Sequence, residues 1–287
     1  MEKLLAVITD WENGERVLER TQYLADKLHA DFAVYRPVHA QLGEMQKYIG
    51  FDDFERLRDQ IMAEERHQLS AFCEDKTADF HSEWCERVHL AISGEAERQG
   101  VGLVVMAASR HGVLANLAHR ADDWHLLREL SCPVLMLPET SVLPDKVVAA
   151  VDCLDDDDEH QQLAERVLDS ARAFSKAFAV PLTAITVTPD PALIYANLVS
   201  VPFNMDFQAE ADKRARESLQ RLLDRMGLTV DSVRVEAGRV ESIVTDAAAD
   251  GLLVIGSAAN QGLKGMFLGN TAERILHHMK TEMLVVN

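Results

Sequence analysis

Near its C-terminus the chain carries GSAANQGLKGMFLGNTAER (256–274), after the apolar run GLLVI and before ILHHMKTEMLVVN. Glycines that end a buried strand just before a helix can make a phosphate cradle. There backbone N–H groups approach an anion closely and the helix N-terminus adds partial positive charge. Gly256, Ala259, Gly269, Asn270 and Thr271 are the candidate binding residues. Asn270 both caps a helix well and donates hydrogen bonds, so capping of TAERILHHM and contact with a ligand phosphate stay open as readings. Asp152 closes another apolar run, KVVAAVD (146–152), and is a candidate for the same site. LDDDDEH (154–160) follows it. Its acids suit a helix N-terminus. They also repel a triphosphate held within a Debye length of about 10 Å, unless a cation lies between.

Covalent chemistry finds less support. Ser109 and Ser257 follow apolar runs without an evident base, and no G-x-S-x-G accompanies them. His125 has Asp122 and Asp123 close by, which reads as helix capping with Trp124 as a packing anchor. His277 and His278 are adjacent on a helix and point apart, so they cannot share a metal. Neither a catalytic residue nor a metal ligand is assigned.

The elements that would position these residues occur twice. KLLAVITD (3–10) and KVVAAVDC (146–153) are short apolar strands, each followed by a charged stretch with helical period. The strands DFAVYRPV and PLTAITVT come next. After what reads as a long helical region, GVGLVVMAAS (100–109) answers DGLLVIGSAA (250–259). PVLMLP (133–138) and EMLVVN (282–287) close the halves. Near-continuous Val, Leu and Ile in strands that alternate with helices predict two Rossmann-like, doubly wound α/β domains with parallel sheets. PETSVLPDK (138–146) has two prolines and no periodicity, and reads as the linker. The boundary is placed between domain 1, residues 1–143, and domain 2, residues 144–287. In such sheets ligands bind beyond the carboxyl ends of strands, where strand order reverses. That singles out Asp152 with the glycine stretch in the second half, and Thr9, Asp10 and residues 108–121 in the first. The apolar, irregular IYANLVSVPFNMDF (194–207) reads either as a loop on its own sheet or as one wall of an apolar pocket. LGEMQKYIGFDDF (42–54) is its counterpart.

At these residues the chain resembles the universal stress protein family in its tandem form, over essentially its full length. ATP-binding members carry G-x2-G-x9-G-[ST] after the fourth strand, and an Asp at the end of the first strand that meets the adenine. The second half matches as Gly256, Ala259, Gly269 and Asn270, with Asp152 at the adenine position. Ala259 replaces a glycine. If that position needs a positive φ, the methyl costs about 1 kcal/mol. The first half keeps the spacing as Ala108, His111, Ala121 and Asp122, losing all three glycines and placing a negative charge where phosphate should sit. No nucleotide site is expected in residues 1–143. The resemblance further implies that family members pair through their last strands, so that the two halves form an intramolecular pseudo-dimer, and such pseudo-dimers are open to pairing as a homodimer.

Composition bounds the partners. With 47% hydrophobic residues, 287 residues can bury a sizeable core. A formal charge of −18 opposes nucleic-acid phosphates and anionic membrane surfaces, so neither is expected as a partner. Cys73, Cys85, Cys132 and Cys153 lie far apart with no C-x-x-C, which fits a reducing cytosol. No secretory signal and no apolar run of about 20 residues is seen, so a soluble, cytoplasmic protein is expected. The expected role is a stress-response binding or regulatory protein without assignable covalent chemistry. The alternatives are ATP binding with weak hydrolysis in the second domain, or carriage of a small apolar ligand.

Overall fold

The computed structural model describes residues 3–39, 48–74, 78–108, 130–140, 142–154, 158–190, 205–257, 274–276 and 280–287. The chain divides into two compact units, Met1–Val134 and Leu135–Asn287.

Unit 1 runs β1 (Lys3–Val7), α1 (Gly14–Leu28), β2 (Asp31–Val38), α2 (Phe51–Phe72), β3 (Asp79–Trp84), α3 (Val88–Gln99) and β4 (Leu103–Ala107). Its parallel strands lie in the order β3-β2-β1-β4. β5 (Val134–Leu137) crosses the junction of the units, and Pro133 just ahead of it accepts the Val104 N–H at 3.0 Å. Unit 2 runs β6 (Val147–Ala150), α4 (Asp158–Phe178), β7 (Leu182–Thr188), α5 (Met205–Met226), β8 (Ser232–Ala237), α6 (Val240–Ala247), β9 (Leu252–Gly256) and β10 (Glu282–Val286). Its parallel order is β8-β7-β6-β9-β10.

Both units are Rossmann-like, as the alternation of strands and helices predicts. Leu4 to Val7, and every residue of β4, are buried, because helices cover both faces of a parallel sheet. The internal repeat reaches the backbone. His29 and Ala179, each directly after the first helix of its unit, adopt left-handed φ of 53° and 56°. Such a turn exposes the last helical carbonyls to new donors and sends the chain into the next strand.

The structure corrects the reading of one long helical region per half: β3 and β8 interrupt it. Each lies outermost in its unit's strand order and is only part-buried, so neither shows the continuous apolar run of a central strand. Within 194–207, the last three residues belong to α5, and residues 191–204 lie outside the described residues. Likewise 51–54 open α2, while 42–47 lie outside. Among the described residues no helix is long and apolar enough to cross a membrane.

Candidate functional site

In both units the first strand lies between the second and the fourth, so the connections leave it in opposite directions and a crevice opens at the carboxyl ends. Val7 pairs with Tyr35 and Ala150 with Ile185, which puts Arg36 and Thr186 in matching places one residue beyond. Ala150 also pairs with Ile255, so Asp152 and Gly256 leave neighbouring strands at the same end. In unit 1 Val7 pairs with Met106. Ala107, one residue earlier than the motif spacing gives, therefore stands where Gly256 stands in unit 2.

The end of β1 is filled from within. Ile8 donates its N–H to the Tyr35 carbonyl at 2.9 Å, continuing the ladder. The next donor along β2 would be residue 37, and Pro37 has no N–H. Arg36 takes over that role. Its Nη1 donates to the carbonyls of Ile8 (3.2 Å), Thr9 (2.7 Å) and Pro37 (3.3 Å). Its Nε and Nη2 form a fork on Glu65 of α2, at 3.0 and 3.2 Å. The guanidinium carbon lies 5.2 Å from the Trp11 ring centroid, and Trp11 Nε1 donates to the same carboxylate at 3.2 Å. Trp11 meets Phe72 edge-on, with centroids 5.7 Å apart. The two charged side chains are only 10% and 18% exposed. Planar cation, aromatic face and bidentate carboxylate together satisfy a charge that burial would otherwise make costly. Asp10 is also engaged, accepting the backbone N–H of Asn13 at 2.9 Å and its Nδ2 at 2.6 Å.

The end of β6 is built from small groups. Val151 donates to the Ile185 carbonyl at 3.0 Å, as Ile8 does to Tyr35. Val187, which keeps its N–H, stands where Pro37 stands in unit 1. Thr186 is 2% exposed, and its Oγ1 lies 3.7 Å from Cys153 Sγ. That thiol also lies 3.6 Å from the Ala215 carbonyl of α5, and the Ser218 hydroxyl donates to the Cys153 carbonyl. Burial, with the nearby Asp152 adding to it, pushes the Cys153 thiol up from its usual range, against the opposing influence of the Thr186 and Ser218 hydroxyls. It therefore stays protonated near neutral pH and is a poor nucleophile. Asp152 is exposed, its Oδ1 accepting the Leu154 N–H at 3.1 Å. Further out, Gln208 Nε2 donates to Thr188 Oγ1 (3.0 Å) and Asp212 Oδ1 (2.7 Å), and the Thr188 hydroxyl donates to the same carboxylate at 2.7 Å.

Gly256 has a local structural reason. A Cβ there would lie 2.6 Å from Cδ2 and 2.8 Å from Cγ of Leu163, so the missing side chain lets α4 close onto the end of β9. The contact is a packing use of glycine in a Rossmann-like turn. The next backbone donor, Ser257 N–H, is bonded to the Val286 carbonyl at 2.8 Å. Ala259, Gly269, Asn270 and Thr271 lie outside the described residues, as do Asp155–Asp157, residues 109–129 with Ser109, His111, Ala121, Asp122, Asp123, Trp124 and His125, and the pair His277 and His278. Of the predicted site the structure thus brings together Asp152 and Gly256. Arg36, Glu65, Trp11, Thr186 and Cys153, which shape the two strand ends, were not singled out from sequence. The one local signal was an arginine followed by proline inside an otherwise apolar strand.

Comparison with known proteins agrees with this architecture. The model of the universal stress protein family matches residues 144–287, half of the chain. Universal stress protein E of Escherichia coli K12 is 22% identical over 306 residues, spanning 99% of this chain and 93% of its own. That of Salmonella typhi is 24% identical over 307 residues, spanning 99% and 94%. A universal stress protein from Archaeoglobus fulgidus superposes with a TM-score of 0.61 at 17% identity, over 99% of this chain and 96% of its own. A functionally unknown protein from Pseudomonas aeruginosa PAO1 reaches 0.68 at 24% identity, over 100% and 92%. With two Rossmann-like units and a family match over its second half, the chain belongs to the universal stress protein family and resembles universal stress protein E in its tandem form.

Proposed function

We propose that the chain is a cytoplasmic, stress-linked binding or regulatory module in which ligand recognition is confined to unit 2. The reading assigns it no covalent chemistry. One observation carries it: the strand end that faces the crevice is filled by Arg36, Glu65 and Trp11 in unit 1, and is lined by Thr186, Cys153 and an exposed Asp152 in unit 2. Native mass spectrometry of the protein purified from its own cells tests this. At most one small molecule per chain is expected, and two would overturn the reading.

A second reading, ATP binding with slow hydrolysis, draws on Asp152 lying beside Gly256. Asp152 would meet adenine, and Gly256, Gly269, Asn270 and Thr271 would meet ribose and phosphates. The Leu163 contact at Gly256 and the bonded Ser257 N–H weaken it, because they use the strand-end glycine and its neighbour for packing. Any such binding is weak in the wild type. Replacing Ala259→Gly, Asp156→Asn and Asp157→Asn together removes a methyl and two negative charges, and should tighten ATP by about 5- to 150-fold. No gain at low salt would exclude this reading.

A further inference from the structure

We propose that Arg36 is an internal occupant of a guanidinium site, and that this side chain closes the β1 end of the unit 1 crevice. All three guanidinium nitrogens donate to acceptors, and the guanidinium carbon lies over the Trp11 ring. The guanidinium edge is shared between strand-end carbonyls of Ile8 and Thr9 and the carboxylate fork of Glu65, and its face lies against Trp11. Two of the acceptor residues have anchors besides Arg36. Ile8 is held by its own N–H bond to Tyr35 and lacks its ladder donor because of Pro37, while Glu65 is also bonded to Trp11. A guanidinium is the cation whose fork of N–H donors can reach strand-end carbonyls and a carboxylate together while its face meets an indole. The site is therefore built before the side chain enters it, and its specificity is for a fork of N–H donors rather than for charge alone.

Chemical complementation tests this in the full chain. Arg36→Ala empties the site and leaves the carbonyls, Glu65 and Trp11 in place. Its melting temperature should fall, then recover by several degrees in a saturable way with millimolar ethylguanidinium, at one equivalent per chain by calorimetry. Tetramethylammonium, which has the charge without the donors, should give no recovery beyond that of equal sodium chloride. The wild type should show no such binding, because its site is taken. Adding Glu65→Ala to Arg36→Ala should abolish the rescue, and Arg36→Lys should remain below wild type with no response to ethylguanidinium. Should Arg36→Ala not fold alone, its refolding yield with ethylguanidinium against sodium chloride reads the same property. Equal recovery with both cations, or none with either, overturns the proposal. Because the experiment concerns unit 1 alone, its outcome is separate from whether unit 2 binds a ligand.

Discussion

The ends of β1 and β6 stand at the same register in two copies of one architecture, yet they have taken opposite courses. In unit 1 a proline removes a ladder donor, an arginine replaces it, and a glutamate and a tryptophan hold the arginine in place. In unit 2 the same positions are Val187 and Thr186, and the covering helix brings Ala215 and Ser218. A few substitutions around one strand end change what lines it without altering the strand order. The glycine difference points the same way for a different reason. Ala107 tolerates a Cβ where Gly256 cannot have one, because Leu163 occupies that space. The two units thus differ in how the first helix seats on the sheet as well as in what lines the crevice.

The largest expected effect comes from breaking the closed end. Glu65→Ala leaves Arg36 buried and unpaired, and should cost about 2–4 kcal/mol in urea unfolding of the unit 1 transition. Ser218→Ala in unit 2 removes only a hydroxyl bond to the Cys153 carbonyl and should cost no more than about 1.5 kcal/mol. A similar cost for both would erase the contrast. Next is Gly256→Ala, which drives a methyl into Leu163 and should cost about 1–3 kcal/mol. Leu163→Ala introduced together with it should recover part of that loss, whereas additive losses would show that the glycine serves something other than packing.

These two regions also show what the sequence made legible. β1, β4, β5, β6, β9 and β10 could be read because burial on both faces leaves nearly unbroken apolar residues. β2 and β7 could be read because only a few polar residues interrupt theirs. β3 and β8 could not, because half-exposed outer strands carry Asp79, Glu83, Arg234 and Glu236 among their apolar residues. SVRVEA does alternate, and that period of two was the available signal. The family motif pointed to the ends of β6 and β9 and gave Gly256 a ligand role, whereas the contact described at Gly256 is with Leu163 on a helix distant in sequence. The Arg36 closure was invisible for the same reason. Arg36, Glu65 and Trp11 lie on three separate segments, and only the fold brings them together.

A smaller effect distinguishes the outer part of unit 1. Burial pushes the Glu95 carboxyl up, but hydrogen bonds from Arg98 and Gln99 and the nearby His81 outweigh this and hold it below its usual value of 4.5. A depressed folded value contributes stability above the unfolded value and loses it as pH falls. Glu95→Gln should therefore destabilise unit 1 by about 1–2 kcal/mol at pH 7, and the gap from wild type should close below about pH 4.5. A gap independent of pH would mean the carboxylate charge contributes nothing. The smallest effect concerns the thiols. Burial raises Cys85 and Cys132 to about 11, in both cases as the main cause. Alkylation of the folded protein should reach the half-buried Cys153 first, and only slowly at neutral pH because burial raises its thiol above the usual range. Rapid labelling of Cys153 at pH 7 would show a strand end quite unlike the one described.

The central claim, one open crevice and one closed, is tested most directly by calorimetric titration of the full chain with magnesium-ATP beside Thr186→Arg. The wild type should bind no more than one equivalent, weakly. The arginine is placed where Arg36 lies in unit 1 but without partners like Glu65 and Trp11. It should remove that binding at a cost in stability similar to that of Glu65→Ala, with the folded state checked by circular dichroism. Two equivalents in the wild type, or one that persists unchanged in Thr186→Arg, would contradict the account.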